Sequence, residues 1–183
     1  MDGRAVEVVD ALAATTIGAT FNFYREETGA DVRRRRLAAY LDSRRDVAIL
    51  LVGEAAGYRG ARVSGIPFTS ERQVSGDAPG EATATIVHRV LGELGLLADV
   101  LLWNLVPTHP HRLGDPDSNR PPTLTEVEAG EPFLAELAHR RRVVPVGRIA
   151  HVRLGGTYVR HPAHGGAAGF RAGLLDSLHA AGS

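Results

Sequence analysis

The sequence predicts an α/β fold: one domain, residues 1–183, on a mostly parallel sheet of about four strands with helices on its faces. Three observations carry this. Short unbroken apolar runs recur along the chain, as in strands covered on both faces. The segments between them space their apolar residues three and four apart, as in helices that bury one stripe. Runs and stripes alternate, and strands separated by helices pair in parallel through right-handed crossovers. With 44% hydrophobic and 23% charged residues, a chain of 183 residues buries a substantial core without metal or disulfide staples.

The elements follow in order. Arg33 to Leu41 reads as an arginine-rich helix. Val47-Ala48-Ile49-Leu50-Leu51-Val52, closed by Gly53, is the first strand. Val87, Val90, Leu91, Leu94 and Leu97 mark the apolar face of the next helix, and Val100-Leu101-Leu102-Trp103 is the second strand. Thr123-Leu124-Thr125-Glu126 has capping-box spacing, in which hydroxyl and carboxylate each satisfy the other's backbone N–H. Gly130 and Pro132 are expected to kink or restart the helix that follows, before Phe133, Leu134 and Leu137. Val143-Val144-Pro145-Val146-Gly147 is the third strand; Pro145, which cannot donate to a ladder, places it at an edge or a bulge. Thr157-Tyr158-Val159 is a short fourth strand, and Phe170, Leu174 and Leu178 stripe the final helix.

Composition narrows the chemistry. Cysteine is absent, which excludes disulfides, thiolate metal sites, cysteine nucleophiles and cysteine-ligated iron–sulfur clusters. No apolar run approaches a membrane span, and Met1-Asp2-Gly3-Arg4 opens no signal-peptide pattern, so a cytoplasmic protein is expected. The net charge is zero, from 21 basic and 21 acidic residues, but the average hides a gradient. Every basic side chain is arginine, the residue best shaped for bidentate phosphate contacts; a GC-rich genome gives the same bias without function. Asp115, Asp117, Glu126, Glu128, Glu131 and Glu136 share their stretch with Arg120 alone, whereas Arg140, Arg141, Arg142, Arg148, Arg153, Arg160 and Arg171 precede the next acid, Asp176.

In an open parallel sheet, ligands bind beyond the carboxyl ends of the strands. After the first strand come Gly53-Glu54-Ala55-Ala56-Gly57-Tyr58-Arg59-Gly60 and Gly65-Ile66-Pro67-Phe68-Thr69. The glycines let a ligand approach the main chain, Glu54 offers a carboxylate, and Phe68 reads either as a stacking platform or as core. No Gly-Lys-Ser/Thr follows, so this is not a phosphate P-loop. After the second strand, Asn104 offers a donor and an acceptor suited to a pyrimidine edge, or ties down its own loop. His109 and His111 flank Pro110 without the further ligands that a metal pair needs, and no metal site is expected. After the fourth strand, His161-Pro162-Ala163-His164-Gly165-Gly166 leads into a helix, an arrangement that presents backbone amides to an anion. No Gly-x-Ser-x-Gly elbow is present, and neither Ser64 nor Ser70 has a histidine at a diagnostic spacing.

The ordered set Gly53-Glu54-Ala55-Ala56-Gly57, Gly65-Ile66-Pro67-Phe68, Asn104, Asn119-Arg120-Pro121-Pro122-Thr123 and His161-Pro162-Ala163-His164-Gly165 resembles the uracil-DNA glycosylase superfamily over residues 45 to 178. Its first motif is similar to the branch that reads Gly-Glu-x-Pro-Gly. The resemblance implies a DNA repair enzyme that flips a uracil or related deaminated base out of DNA and hydrolyses its N-glycosidic bond. It implies Glu54 and His161 as catalytic residues, with Gly53, Ala55, Phe68 and Asn104 against the base. It places Arg59, Arg62, Arg160, His164, Gly165 and Gly166 along the DNA. Ala56 stands where that branch has proline, and without cysteines this is a relative that carries no cluster; no cofactor is expected. DNA is the expected partner of a monomer, with no membrane. Two other classes stay open: a damage-binding protein of the same fold with little turnover, and a nucleotide- or phosphate-binding α/β enzyme.

Overall fold

The computed structural model describes residues 3–179. In chain order its elements are α1 (Gly3–Ala14), β1 (Thr20–Phe21), α2 (Ala30–Ser43), β2 (Ile49–Ala55), α3 (Ala61–Ser64), α4 (Glu71–Ser75) and α5 (Ala82–Glu93). There follow β3 (Val100–Val106), β4 (His109–Pro110), α6 (Leu124–Ala138), β5 (Arg142–Pro145), α7 (Arg148–Leu154) and α8 (Ala167–His179). The central sheet is parallel, ordered β3-β2-β5, with Gly53 beside Asn104 and Ala55 beside Val106 at its carboxyl end.

Side chains alternate across the strands, and both faces are covered. Leu50, Val52, Leu101, Trp103 and Leu105 join one core cluster with Val9 and Leu12 of α1, Leu37 and Leu41 of α2, Val127 and Leu134 of α6 and Ala150 of α7. Leu51, Val100, Leu102 and Val144 join a second with Val87 and Leu91 of α5 and Phe170 and Leu174 of α8. The layers are helix, sheet, helix. This is why the first two strands read as unbroken apolar runs.

Three expectations change. The fourth strand shrinks to a single parallel bridge between Val146 and Val159, so the sheet proper has three strands, with Pro145 on its outer member. A small antiparallel pair, Thr20–Phe21 with His109–Pro110, was not anticipated, nor were α1 and α7. Gly130 and Pro132 do not break α6, which runs unbroken to Ala138. Pro132 and Glu128, the residue four before it, are both exposed, so water takes the carbonyl that the proline leaves without a donor. Gly130 serves a different purpose. A Cβ there would lie 2.0 Å from the Leu105 carbonyl oxygen, so the glycine lets α6 seat directly on β3.

The charge gradient also looks different once folded. Arg141 donates to the carbonyls of Val47, Leu137 and Arg45, and Arg142 to that of Leu178. Arg153 pairs with Glu131 and Arg4 with Glu136. Much of the basic end therefore holds the fold together, and much of the acidic middle is neutralised by arginines distant in sequence.

Candidate active site

A cavity of about 440 Å³ opens at the carboxyl ends of β2 and β3. Its walls include Glu54, Ala55, Phe68, Asn104, His161 and His164, so residues from three separate post-strand segments meet in one place. A larger hollow of about 600 Å³ at the opposite end of the sheet contains none of them; ion pairs and Arg141 line it. We assign the site to the first, where an open parallel sheet presents its strand ends to ligands.

The Phe68 ring is seated where two strands lie in register. Gly53 and Asn104 pair in register, and the Phe68 ring lies over Gly53: a Cβ on Gly53 would fall 2.2 Å from Phe68 Cζ and 2.9 Å from Asn104 Oδ1. Phe68 sits in the left-handed region at φ 53°, as does His164, and both line the cavity. Non-glycine residues in that region carry strain that the surroundings must hold, and such strain gathers at functional sites. Gly53→Ala is expected to push the ring and the amide apart and to cost about 10²-fold in catalytic efficiency, the scale of an ångström-sized misplacement. Steady-state kinetics on the variant, with its melting curve as control, check this.

Asn104 is 3% exposed, and its side-chain amide makes no hydrogen bond among the described residues. The residue lines the cavity, where its donor and acceptor are open to a ligand. Glu54 is half-buried, also without a hydrogen bond or ion pair there, and burial raises its pKa above the ordinary carboxylate value. Burial lowers the pKa of His161, against an opposing pull from Glu81, so the ring is neutral at neutral pH. The Ala163 N–H donates to its Nδ1 at 3.2 Å, which assigns the ring proton to Nε2.

The first-motif loop is tied down without a proline. The Ala56 N–H donates to the Val106 carbonyl at 3.2 Å, a bond that proline cannot make, and its own carbonyl faces His109 Nδ1 at 2.9 Å. His109 Nε2 faces the Pro116 carbonyl at 3.2 Å, so both ring nitrogens are turned to carbonyls. No group of three or more His, Cys, Asp or Glu residues is arranged to hold a metal ion among the described residues.

The residues expected along DNA divide. Arg59 is exposed, its guanidinium 5.1 Å from the Tyr58 ring centre, and Arg160 is exposed with its stem against Gly169. Arg62 is engaged elsewhere: it pairs with Glu27 at 3.2 Å and Asp117 at 3.0 Å, donates to the Pro116 carbonyl and covers Phe21. The Gly166 amide donates to the Ala163 carbonyl at 3.1 Å, and a Cβ on Gly166 would lie 2.1 Å from the His161 carbonyl oxygen. Its role is to let the loop close. Gly165 has open space around its α-carbon.

Sequence reasoning missed Glu81, which lines the cavity while its carboxylate caps α5 through the Thr83 and Ala84 amides at 2.8 Å. Glutamate is not a favoured N-cap, so the sequence carried little signal of it. Ser64 Oγ donates to the Thr69 carbonyl at 2.7 Å and accepts from the Ile66 N–H; it braces the turn that carries Phe68.

Comparisons with known proteins bear on the fold and the family. The fold is similar to that in the crystal structure of wild-type SMUG2 from Pedobacter heparinus, with a TM-score of 0.68 at 12% sequence identity, covering 97% of each chain. No curated protein matches the sequence. The family model of the uracil DNA glycosylase superfamily matches residues 41–182, a span that includes every cavity residue named above, and the chain belongs to that superfamily.

Proposed function

We propose that this protein is a monofunctional DNA glycosylase that releases uracil, or a related deaminated base, from DNA and leaves an abasic site. The observation that carries the reading is the Asn104 amide, free of protein partners among the described residues, beside the Phe68 ring in one cavity: a donor and an acceptor next to a flat apolar face. A base inside the stack is out of reach, so it is flipped into the cavity. Phe68, itself seated on Gly53, stacks on it, Ala55 lies alongside, and Asn104 satisfies its edge.

Bond cleavage then follows from the charges. As the bond between C1′ and the base nitrogen breaks, its electrons pass to the base, whose developing negative charge takes a hydrogen bond from His161 Nε2–H. Glu54 accepts a proton from the water that attacks C1′. Arg59, Arg160, His164 and the Gly165 amide are left to meet the phosphates and the opened strand. On this reading the protein acts as a monomer without a cofactor. No helix among the described residues is long and apolar enough to cross a membrane, which fits an enzyme acting on DNA in the cytoplasm.

Incubating the protein with uracil-containing oligonucleotides, then cleaving abasic sites with alkali, tests the proposal. Strand breaks at uracil support it; intact strands after long incubation with excess protein, across a panel of deaminated bases, refute it. A single stoichiometric burst without recycling points instead to the low-turnover damage binder.

The acid side of the pH profile is set by Glu54, which acts as a base only when ionised. Burial raises the pKa of Glu54 and lowers that of His161. The single-turnover rate is therefore expected to fall on the acid side, with its midpoint above the ordinary carboxylate value. Neither group supplies an alkaline limb. Rates between pH 4 and 9, corrected for folding, check it (roughly the range over which carboxylates and imidazoles titrate).

A further inference from the structure

The stacking ring is held in place by a residue that lines no part of the cavity. Phe68 occupies the left-handed region, so its backbone does not rest there unaided. The next residue, Thr69, is buried, and its hydroxyl donates to the Pro67 carbonyl at 3.0 Å. A hydroxyl has one proton, so its oxygen faces the His88 Nε2 atom, 3.0 Å away, as an acceptor. His88 therefore carries its proton on Nε2 and donates it. The turn is gripped on its other side by Ser64, through Ile66 N–H and the Thr69 carbonyl.

We propose that His88 of α5, acting through Thr69, is a positioning residue that fixes the Phe68 ring as the base platform. The inference rests on the proposed glycosylase reading and extends it to a residue outside the cavity. The link has a definite order: a helix side chain donates to a hydroxyl, the hydroxyl donates to the carbonyl before Phe68, and the ring lies over Gly53. Burial lowers the pKa of His88, aided by the positive charge of Arg44, which keeps the ring neutral with the single proton this order requires.

The test combines activity with a readout independent of it. His88→Leu is expected to lower the single-turnover rate on uracil DNA about tenfold, within the range found for residues sharing one hydrogen-bonded unit. Thr69→Val, which removes only the hydroxyl, should do the same. His88→Gln keeps an N–H donor and should recover most of the rate. In a Phe68→Ala background, His88→Leu should have no further effect. An equal loss with and without the Phe68 ring would overturn the proposal, because a merely structural histidine acts on both backgrounds alike.

The second readout is fluorine NMR of protein carrying 4-fluorophenylalanine at its 5 phenylalanines. The Phe68 signal is identified by its loss in Phe68→Leu. That signal should shift or broaden in His88→Leu and Thr69→Val and return in His88→Gln; an unmoved signal overturns the proposal. If the wild-type protein releases no base at all, the glycosylase reading fails, and the fluorine signal still decides whether His88 holds the ring.

Discussion

Glu54→Gln is expected to lower the single-turnover rate of uracil release by about 10²–10⁴-fold, the contribution of a positioned general base. The same variant should be no less stable than the parent. Burial raises the folded-state pKa of Glu54 above its unfolded value, so ionising it at neutral pH works against folding, and the neutral amide removes that opposition. A large loss of rate with an unchanged or higher melting temperature separates lost chemistry from lost fold. Gel-based excision under enzyme excess, with a thermal melt of each sample, makes the comparison. A rate within a few fold of the parent would move the base role away from Glu54.

Arg120→Leu should show the reverse pattern, a loss of fold. Arg120 grips the Glu126 carboxylate with two bonds, at 2.8 and 2.6 Å, and the Glu126 side chain is 2% exposed. The Thr123 N–H adds a third bond at 2.8 Å, completing the α6 capping box. Removing the arginine strands a carboxylate in a place with little water, which costs about 3–5 kcal/mol. Urea unfolding reads this directly, and Arg120→Leu with Glu126→Leu should recover part of the loss, because no charge is then left uncompensated. The bond to Arg120 holds the Glu126 pKa below its ordinary value. The stability contributed by the pair is thus present above that ordinary value and disappears as pH falls through the depressed one. The double variant should unfold with a weaker dependence on acid.

What could be read from the sequence depended on how local its cause was. The β2 and β3 runs are apolar because both faces are covered, and that pattern lies along the chain itself. Glu54, Phe68, Asn104 and His161 were legible because the strand ends of a parallel sheet are where ligands bind, and the structure brings all four to one cavity. Arg62 was assigned to DNA because it follows the first motif; its partners, Glu27 and Asp117, lie 35 and 55 residues away. Nothing local announces such a pair. Gly130 reads locally as a helix breaker, whereas its cause is a carbonyl on β3. The fourth strand failed for a related reason: Thr157-Tyr158-Val159 has strand-like residues, but the fold gives only Val159 a strand partner. His88 was legible as a helix residue and illegible as a support for Phe68, because the link passes through a neighbouring hydroxyl.

Where related first motifs have a proline, this chain holds Ala56 by a bond to Val106 and a carbonyl turned to His109. Proline limits a loop through its covalent ring, at every temperature and in every state of the molecule, including the unfolded one. Hydrogen bonds restrain only while they are formed. The order of this loop is therefore an equilibrium population, open to local fluctuation without global unfolding. Amide exchange at Ala56 would read that population directly, at a position where a proline would have no amide proton to exchange.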